Sequence, residues 1–450
     1  MNAPIDTLTA EDDAWRLGEW RFTALVEGSA VGRVTQETDG PDLRIEHEDY
    51  AEDSRWEQDV AGIPAGMLLS LYCKARTSGP CWRRIGENMF VAGVQATLEA
   101  RIGKERLAES VLAATEYIFY PPTAADFTVQ EKNSMEGTPF LVVPEGTDFI
   151  RLSVSLSGQG SVSFSNLRLT AEPTTAVEMN ARLVDAMKAE GHAQSPALER
   201  AFRAVPRHFF LPSRNWGEVY RDEAVPTHFA EGTKVAISSS SQPTMMAIML
   251  EQLQVMPGMR VLEIGTGTGY NAALLAHLVG DPSGVWTVDV TEEFCGEARR
   301  HLRAAGVEGV HVICADGWSG WAEAAPYDRV IVTANAHDIA PAWVSHLRDG
   351  GRLVVPWGTS NTQQRSIAFC RDGERLVMEA LHFCGFMPMR GVHGQPETLD
   401  AVDWKDWLFP GQPEGEPVSL IGYPVGAAPA PGSGEYLVRR RWFDYIAHWS

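Results

Sequence analysis

The sequence predicts a two-part fold, in which an all-β sandwich of the jelly-roll type precedes a doubly wound, mostly parallel α/β sheet. Short runs of alternating apolar and polar residues, separated by Gly, Pro and Asp turns, fill residues 14–172. From residue 261 onward, strand-like and helix-like segments alternate. A chain of 450 residues also exceeds what one hydrophobic core usually serves. We therefore expect an accessory β domain over 14–172, an α/β domain over 177–394 and a C-terminal extension over 395–450.

The β region is predicted from alternation with a period of two residues. Strands are expected over 20–26, 67–75, 90–100, 140–143, 149–156 and 162–169. The G-Q-G stretch from Gly158 to Gly160 lies between the last two runs and predicts a hairpin turn. The last two runs resemble the final strands of carbohydrate-binding-module-type sandwiches, so the accessory domain is interpreted as one of these.

The α/β region begins after a linker at 171–176. A helical segment follows the linker, and a second one over 198–205 ends at Pro206. Strands are predicted over 261–264, 285–289, 310–314, 330–333 and 353–355. This order is typical of a parallel, doubly wound sheet.

The chain is acidic, with a formal net charge of -21 and a pI near 5.0. Phosphates would be repelled, so nucleic-acid and anionic-membrane partners are not expected. The acidity could favour a basic peptide substrate, but many soluble enzymes are simply acidic. No apolar run is long enough to span a bilayer and the N-terminus lacks a signal-like apolar segment, so a cytoplasmic protein is predicted.

The six cysteines show neither a C-x-x-C pair nor metal-ligand spacing, so no metal is predicted. Cys295, Cys314, Cys370 and Cys384 lie in apolar-looking segments, where buried free thiols are common. Cys73 and Cys81 are close enough in sequence to pair, but nothing else indicates an oxidising compartment.

Gly265, Gly267 and Gly269 form a loop between the strand predicted over 261–264 and a helix-forming segment over 271–279. Without side chains they let a ligand approach the backbone, and the N–H groups of the helix N-terminus point at that ligand. The spacing is G-x-G-x-G, not the G-x-G-x-x-G of dinucleotide binders. Asp289 ends the next strand about 20 residues later, which suits the two ribose hydroxyls of a nucleoside. The alternative is a tight strand-to-helix turn without a ligand.

This acid-led loop, which begins with Glu263, resembles motif I of class I S-adenosylmethionine-dependent methyltransferases. Other segments, between about residues 180 and 392, resemble protein-L-isoaspartate O-methyltransferases in the right order. They are V-P-R at 205–207, S-Q-P at 241–243, A-D-G-W-S-G-W at 315–321, Y-D-R-V-I-V-T-A at 327–334 and G-G-R-L-V-V-P at 350–356. The resemblance implies a class I methyltransferase fold, S-adenosyl-L-methionine as cofactor and a protein or peptide substrate.

Candidate site residues follow from the loop and the resemblance together. The cofactor-binding residues are predicted to be Glu263, Gly265, Gly267, Gly269, Asp289, Asp316 and Gly317. The resemblance implies that Asp316, with its neighbouring backbone, contacts the adenine amino group, whereas the alternative is an Asp-Gly turn without a ligand. Trp318 and Trp321 are interpreted as packing residues.

A carboxylate is already ionised at neutral pH, so a carboxyl methyltransferase needs no general base. It needs positioning and the exclusion of water, with hydroxyl or amide donors that orient one carboxylate oxygen. The serines from 238 to 241 supply such donors beside a predicted helix N-terminus. Ser241, with Ser240 beside it, is therefore the candidate catalytic residue, and a helix cap is the alternative role.

The chain departs from the repair enzymes in two segments expected to border a peptide groove. Residues 231–243 hold more serines and fewer glycines than the family pattern, and Asn335 to His337 replace an expected Ala-Pro-Pro. With C-G-F-M-P-M-R-G at 384–391, these features resemble methyltransferases encoded with ribosomally made, post-translationally modified peptides.

Three functions are therefore weighed. The leading hypothesis is O-methylation of an aspartate in a ribosomally made precursor peptide, leading to aspartimide. The second is repair of L-isoaspartyl residues in damaged proteins. The third, from another class, is a peptide- or carbohydrate-binding protein with a secondary methyltransferase domain.

Overall fold

The structure is a computed structural model, and it separates the chain into two compact units. The described residues are 14–15, 20–24, 31–37, 40–77, 82–84, 90–113, 134–137, 140–233, 235–336, 338–358, 364–391, 419–424, 426–429, 435–439 and 443–448. The first unit comprises Met1–Met179 and Arg214–Val219, and the second comprises Asn180–Ser213 and Tyr220–Ser450. The boundary therefore lies close to the predicted linker, although a short later segment groups with the first unit.

The secondary structure of the first unit up to residue 173 is, in its described part, entirely β. The strands are β1 (Ala14–Trp15), β2 (Arg21–Ala24), β3 (Val31–Glu37), β4 (Gly40–Ala61), β5 (Met67–Thr77), β6 (Trp82–Arg84), β7 (Phe90–Ala92), β8 (Val94–Ile102), β9 (Glu105–Ala113), β10 (Ser134–Gly137), β11 (Phe140–Val142) and β12 (Phe149–Pro173). Ten of them form one antiparallel sheet with the path β10-β5-β12-β4-β2. Leu152, Val154 and Leu156 of β12 are fully buried on one face, as period-two alternation predicts. The serines between them, Ser153 and Ser155, are buried too, so this stretch of β12 is covered on both faces. The jelly-roll connectivity itself stays a prediction.

The hairpin predicted at Gly158–Gly160 is wrong. β12 continues through both glycines and pairs with β4 on either side of them, from Phe149↔Ala61 to Phe164↔Leu43. The register shifts between Leu156 and Gly158 and again between Gly158 and Gly160. At these two steps β12 advances two residues each time, whereas β4 advances three and then four. The extra residues therefore bulge out of β4 opposite the glycines, and β12 does not reverse. The strand also continues to Pro173, into the segment predicted as linker.

The second unit begins with helices and continues as a mixed α/β sheet. Its helices, the first of which starts in the first unit, are α1 (Ala176–Ala189), α2 (Pro196–Ala204), α4 (Pro243–Leu253), α5 (Tyr270–Val279), α6 (Glu292–Ala304) and α7 (Pro341–His346); α3 (Trp216–Val219) belongs to the first unit. Short 3-10 turns span Arg207–Phe210, Pro282–Gly284, Gly317–Ser319 and Ala322–Ala324. The strands are β13 (Val225–Phe229), β14 (Ala236–Ser240), β15 (Val261–Ile264), β16 (Val285–Asp289), β17 (His311–Cys314), β18 (Tyr327–Val332), β19 (Leu347–Trp357), β20 (Gln364–Asp372), β21 (Arg375–Cys384), β22 (Ser419–Pro424), β23 (Glu435–Arg439) and β24 (Phe443–His448).

The main sheet has the order β17-β16-β15-β18-β19-β20-β21-β22-β24-β23. The pairs from β17 to β19 are parallel, whereas every pair from β19 to β23 is antiparallel. The prediction of a mostly parallel sheet therefore holds only for the half that carries the glycine loop. The strands described beyond residue 418 join this same sheet, so the predicted C-terminal extension contributes to it.

The strands in the parallel half of the sheet are continuous apolar runs because they are buried on both faces. All four residues of β15 and all five of β16 are buried, because helices cover both faces of such a sheet. Trp318 is buried in this core and Trp321 packs against it, which confirms the interpretation of both as packing residues.

The cysteines agree only partly with expectation. Cys295, Cys314, Cys370 and Cys384 are free thiols, but only Cys295 is buried, and Cys314 is exposed at the end of β17. The pairing considered for Cys73 and Cys81 lies outside the residues whose side chains are described.

Candidate active site

The glycine loop follows β15 and ends at Gly269, the N-cap residue of α5. Gly265, Gly267 and Gly269 have φ values of +102°, +50° and +88°, a region that glycine enters without strain. A Cβ at Gly265 would lie 2.4 Å from the Thr333 hydroxyl oxygen, and one at Gly269 would lie 3.1 Å from the Ala298 Cβ. The loop therefore requires glycine both for its backbone conformation and for its close packing.

Asp289, the last residue of β16, holds this loop in place. Its Oδ2 accepts a hydrogen bond from the Gly267 backbone N–H at 3.1 Å, and its Oδ1 accepts one from Thr291 N–H at 3.1 Å. A carboxylate has about four acceptor sites, so Asp289 retains capacity for further donors. It lies at the end of the second strand, as predicted.

Glu263 lies beneath the loop and is completely buried. Asn271 Nδ2 donates to its Oε1 at 2.8 Å, and Thr287 Oγ1 donates to its Oε2 at 2.6 Å. Burial raises the pKa of this carboxyl group to about 7, and the two hydrogen bonds oppose that rise. Glu263 thus connects β15, β16 and α5 under the loop.

The serine segment forms β14 and runs into α4. Gln242 is the N-cap residue of α4 but makes no side-chain capping bond. Asp222 takes that role instead, because its Oδ1 accepts from Thr244 N–H at 2.7 Å and its Oδ2 accepts from Gln242 Nε2 at 2.9 Å. Ser241 is therefore not the cap, and its hydroxyl makes no hydrogen bond within the described part of the chain.

Arg207 supports the serine segment from behind. The residue is fully buried, and its Nη2 donates to Ser241 O at 2.9 Å, to Ser240 O at 3.2 Å and to Ser240 Oγ at 3.4 Å. Its guanidinium also donates to the backbone oxygens of Arg221 and Glu223, at 3.2 and 3.0 Å. Ser240 is buried and engaged with Arg207, whereas Ser241 is only half-buried.

A cavity of about 740 Å³ brings most of the predicted residues together. Its lining includes Ser240, Ser241, Glu263, Gly265, Gly267, Asp289 and Gly317. Gly269 and Asp316 are not part of the lining. The glycine loop and the serine segment approach each other here, since a Cβ at Gly267 would lie 3.9 Å from Ser239 O.

A further wall of the cavity is the segment from Phe383 to Arg390, most of which carries the family resemblance at 384–391 but was not predicted to lie at the site. Asn335 anchors it, because its N–H donates to Met387 O at 2.8 Å and its carbonyl accepts from Met389 N–H at 2.9 Å. The Asn335 side chain is fully buried and outside the cavity lining. That the segment from Asn335 to His337 borders a peptide groove stays a prediction. His337 lies outside the described residues.

Asp316 follows β17, as predicted. Its Oδ1 accepts a hydrogen bond from Trp318 N–H at 3.0 Å, and Gly391 lies directly against its carboxylate. Gly317 packs on β15, since a Cβ there would lie 2.5 Å from the Ile264 Cγ2. The turn therefore brings Gly317 to the cavity while Asp316 remains just behind it.

Outside the cavity lining, His228, Glu293 and Glu297 offer ligand atoms within 4.8 Å of one another. His228 Nε2 lies 3.5 Å from Glu297 Oε2, and the three residues are partly or fully exposed. This arrangement is that of a surface ion pair.

The parallel strands, the glycine loop between β15 and α5, and the acid at the end of β16 together define a class I methyltransferase domain. Residues 178–394 match the family described as protein-L-isoaspartate(D-aspartate) O-methyltransferase. The protein-L-isoaspartate O-methyltransferase of Pyrococcus horikoshii is 38% identical over 218 residues, which are 48% of this chain and 94% of that protein. The enzyme of the same name from Dictyoglomus thermophilum is 35% identical over 225 residues, or 50% and 93% of the two chains.

The chain therefore belongs to the protein-L-isoaspartate O-methyltransferase family, an enzyme family that methylates protein (iso)aspartate with S-adenosyl-L-methionine as cofactor. A solved structure of a protein-L-isoaspartate O-methyltransferase aligns with a TM-score of 0.44 and 26% identity, over 60% of this chain and 88% of that one. None of the helices in the described ranges has the length and apolarity needed to cross a membrane.

Proposed function

We propose that this enzyme methylates the free carboxylate of L-isoaspartyl residues in proteins or peptides. The observation that carries the proposal is the Ser241 hydroxyl, which makes no hydrogen bond to any described residue and lines the same cavity as the glycine loop. A helix cap does not account for it, because Asp222 satisfies the start of α4. The relatives that cover the same part of the chain carry this activity in their names.

The cavity residues fit the cofactor that the family uses. Asp289 is rigidly held, keeps free acceptor sites and suits the ribose hydroxyls. Gly265 and Gly267 leave the backbone open beside it. Gly317 and, behind it, Asp316 are proposed to lie at the adenine, while Gly269 and Glu263 shape the loop from beneath.

The reaction requires little general acid or base catalysis from the protein. When bound, the cofactor supplies an electrophilic methyl group on a sulfonium. The substrate carboxylate is already ionised at neutral pH, so the residues need only orient it and exclude water. Ser241 is proposed to donate a hydrogen bond to the carboxylate oxygen that does not react, with Ser240 fixed behind it by Arg207.

A second candidate is methylation of an ordinary L-aspartate in a precursor peptide, which is the leading hypothesis from the sequence. Two features favour it: the serine-rich segment that lines the cavity, and a β unit that lies before the family match at 178–394. In that reaction the ester is attacked by the next backbone nitrogen, methanol leaves, and an aspartimide ring forms. The names of the relatives favour the isoaspartyl substrate, so we rank it first.

The two candidates are separated by mass spectrometry on matched peptides that differ only in an L-isoaspartyl or L-aspartyl residue. We expect addition of one methyl group to the isoaspartyl peptide and none to its aspartyl twin. The second candidate would be established instead if the enzyme reacts only with an L-aspartyl precursor peptide encoded by a small neighbouring gene. That peptide should show a net loss of one water. Methylation of neither class would contradict both.

The first unit is proposed to be a carbohydrate-binding-module-like sandwich that binds or orients the peptide substrate. Its described strands are antiparallel with two apolar core clusters, which suits an independently folded accessory domain. A purely stabilising role is the alternative.

A further inference from the structure

We propose that Arg207 is a positioning residue that sets the place and the charge preference of the carboxylate site through Ser240 and Ser241. This inference rests on the proposed function, since it takes Ser241 as the residue that meets the substrate carboxylate. Arg207 itself is fully buried and does not line the cavity. Whatever it does for the reaction must therefore act through its neighbours.

The contacts of Arg207 converge on one short segment. A single nitrogen, Nη2, lies within hydrogen-bond distance of Ser240 O, Ser240 Oγ and Ser241 O, at 3.2, 3.4 and 2.9 Å. These bonds fix the last residue of β14 and the first residue after it. Because the backbone of Ser241 is held, its hydroxyl is presented from a defined position rather than from a mobile turn.

The same guanidinium ties a second segment to the first. Nη1 donates to Arg221 O at 3.2 Å and Nη2 to Glu223 O at 3.0 Å. Asp222, between these two residues, holds the start of α4 through Gln242 and Thr244. Arg207 thus braces both chain segments that define the Ser241 turn. A planar fork of donors can serve several oxygens at once, whereas a lysine ammonium acts as a point charge.

The positive charge of Arg207 also acts on the site. A guanidinium stays protonated at any pH a protein tolerates, and here it lies one hydrogen bond from the Ser241 backbone. Even at a separation of about 10 Å and an effective dielectric of about 20, a unit positive charge favours an ionised ligand over a neutral isostere by more than tenfold. Arg207 is therefore expected to make the site prefer a carboxylate to a carboxamide.

The test uses two variants of the full chain with S-adenosylhomocysteine bound, so that no reaction occurs. Arg207→Lys keeps the charge and loses the fork, whereas Arg207→Met keeps much of the side-chain volume and loses the charge. Calorimetry measures binding of an isoaspartyl peptide and of its isoasparaginyl twin, which carries a neutral amide. Arg329→Lys is the matched control, because Arg329 is also buried and donates to Gln254 O at 3.1 Å, away from the cavity.

We expect Arg207→Met to reduce the preference for the carboxylate peptide by about tenfold or more. Arg207→Lys should keep that preference but weaken both peptides about equally. Both variants should bind S-adenosylhomocysteine within about twofold of the wild type, and Arg329→Lys should change none of the three affinities. If Arg207→Met fails to fold, Arg207→Lys alone still tests the positioning role. An equal loss of affinity for both peptides, with intact S-adenosylhomocysteine binding, supports that role.

Two results would overturn the inference. Unchanged peptide affinities in Arg207→Lys would show that the brace is not needed. A loss of S-adenosylhomocysteine affinity as large as the loss of peptide affinity would make Arg207 a general structural residue. Failure of the wild type to methylate either matched peptide is a different result, since it refutes the proposed function and with it the premise of this inference.

Discussion

Replacing Glu263 with Gln tests whether the carboxyl group beneath the glycine loop makes stability depend on pH. Burial raises its pKa to about 7, from an ordinary value of 4.5. Because the folded-state pKa is the higher one, the folded state holds the proton more tightly than the unfolded state does. The resulting stabilisation is fully present below about pH 4.5 and is lost as the pH rises through about 7. At 1.36 kcal/mol per pH unit, the full effect is about 3 kcal/mol.

The measurement is urea unfolding of the wild type and Glu263→Gln at a series of pH values. Two compact units can unfold separately, so the relevant transition is the one that S-adenosylhomocysteine shifts to higher urea. The wild type should lose about 2.5 kcal/mol relative to Glu263→Gln between about pH 5 and about pH 8.5, because glutamine cannot ionise. Glu308→Gln, an exposed substitution on the same unit, should show no such trend.

A difference between wild type and Glu263→Gln that stays constant to within about 0.5 kcal/mol over this range would refute the reasoning. It would mean that the hydrogen bonds from Asn271 and Thr287 keep the carboxylate ionised despite its burial. The pKa would then lie near its ordinary value.

Three further predictions concern the site and the first unit. Asp289→Ala should weaken S-adenosylhomocysteine binding by at most about 1.5–3 kcal/mol for each ribose hydrogen bond lost. Its control is Asp281→Ala, before β16, which should leave that affinity unchanged. A calorimetric affinity of Asp289→Ala within about twofold of the wild-type value would contradict the ribose role. Ser241→Ala should lower turnover by about tenfold or more with little change in cofactor affinity, and Ser345→Ala, an exposed substitution on α7 outside the cavity lining, is its control. An equal loss of cofactor binding would point to a structural role. Removal of residues 1–172 should raise the Michaelis constant for the peptide substrate, and an unchanged constant in a stable protein would exclude a recognition role.

The glycine loop and its strands were predictable because each carries a strong local signal. β15 and β16 have the predicted bounds, since a fully buried parallel strand is a short apolar run with clear ends. The Gly158–Gly160 prediction failed for the opposite reason. Glycines between two alternating runs fit either a turn or an uninterrupted strand, and only the pairing of both halves with β4 distinguishes the two.

The cavity could be predicted only in part. Residues next to the loop in sequence, such as Asp289, were found because strand order places them there. The wall from Phe383 to Arg390 arrives from β21, far along the chain, and no local pattern connects it to the loop. Arg207 lay within a recognised segment, but its burial and its reach to Ser241 depend on tertiary packing.

The strands after residue 418 affect whether the methyltransferase region can be produced as a truncated protein. Leu376 and Val377 of β21 pair with Gly422 and Ile421 of β22. The match to the family ends at residue 394, so trimming the gene there would discard β22, β23 and β24. The outer edge of β21 would then carry unpaired backbone groups, which act as a template for association between copies. A shortened enzyme that precipitates or loses activity would thus report an uncovered sheet edge rather than a missing catalytic or substrate-binding residue.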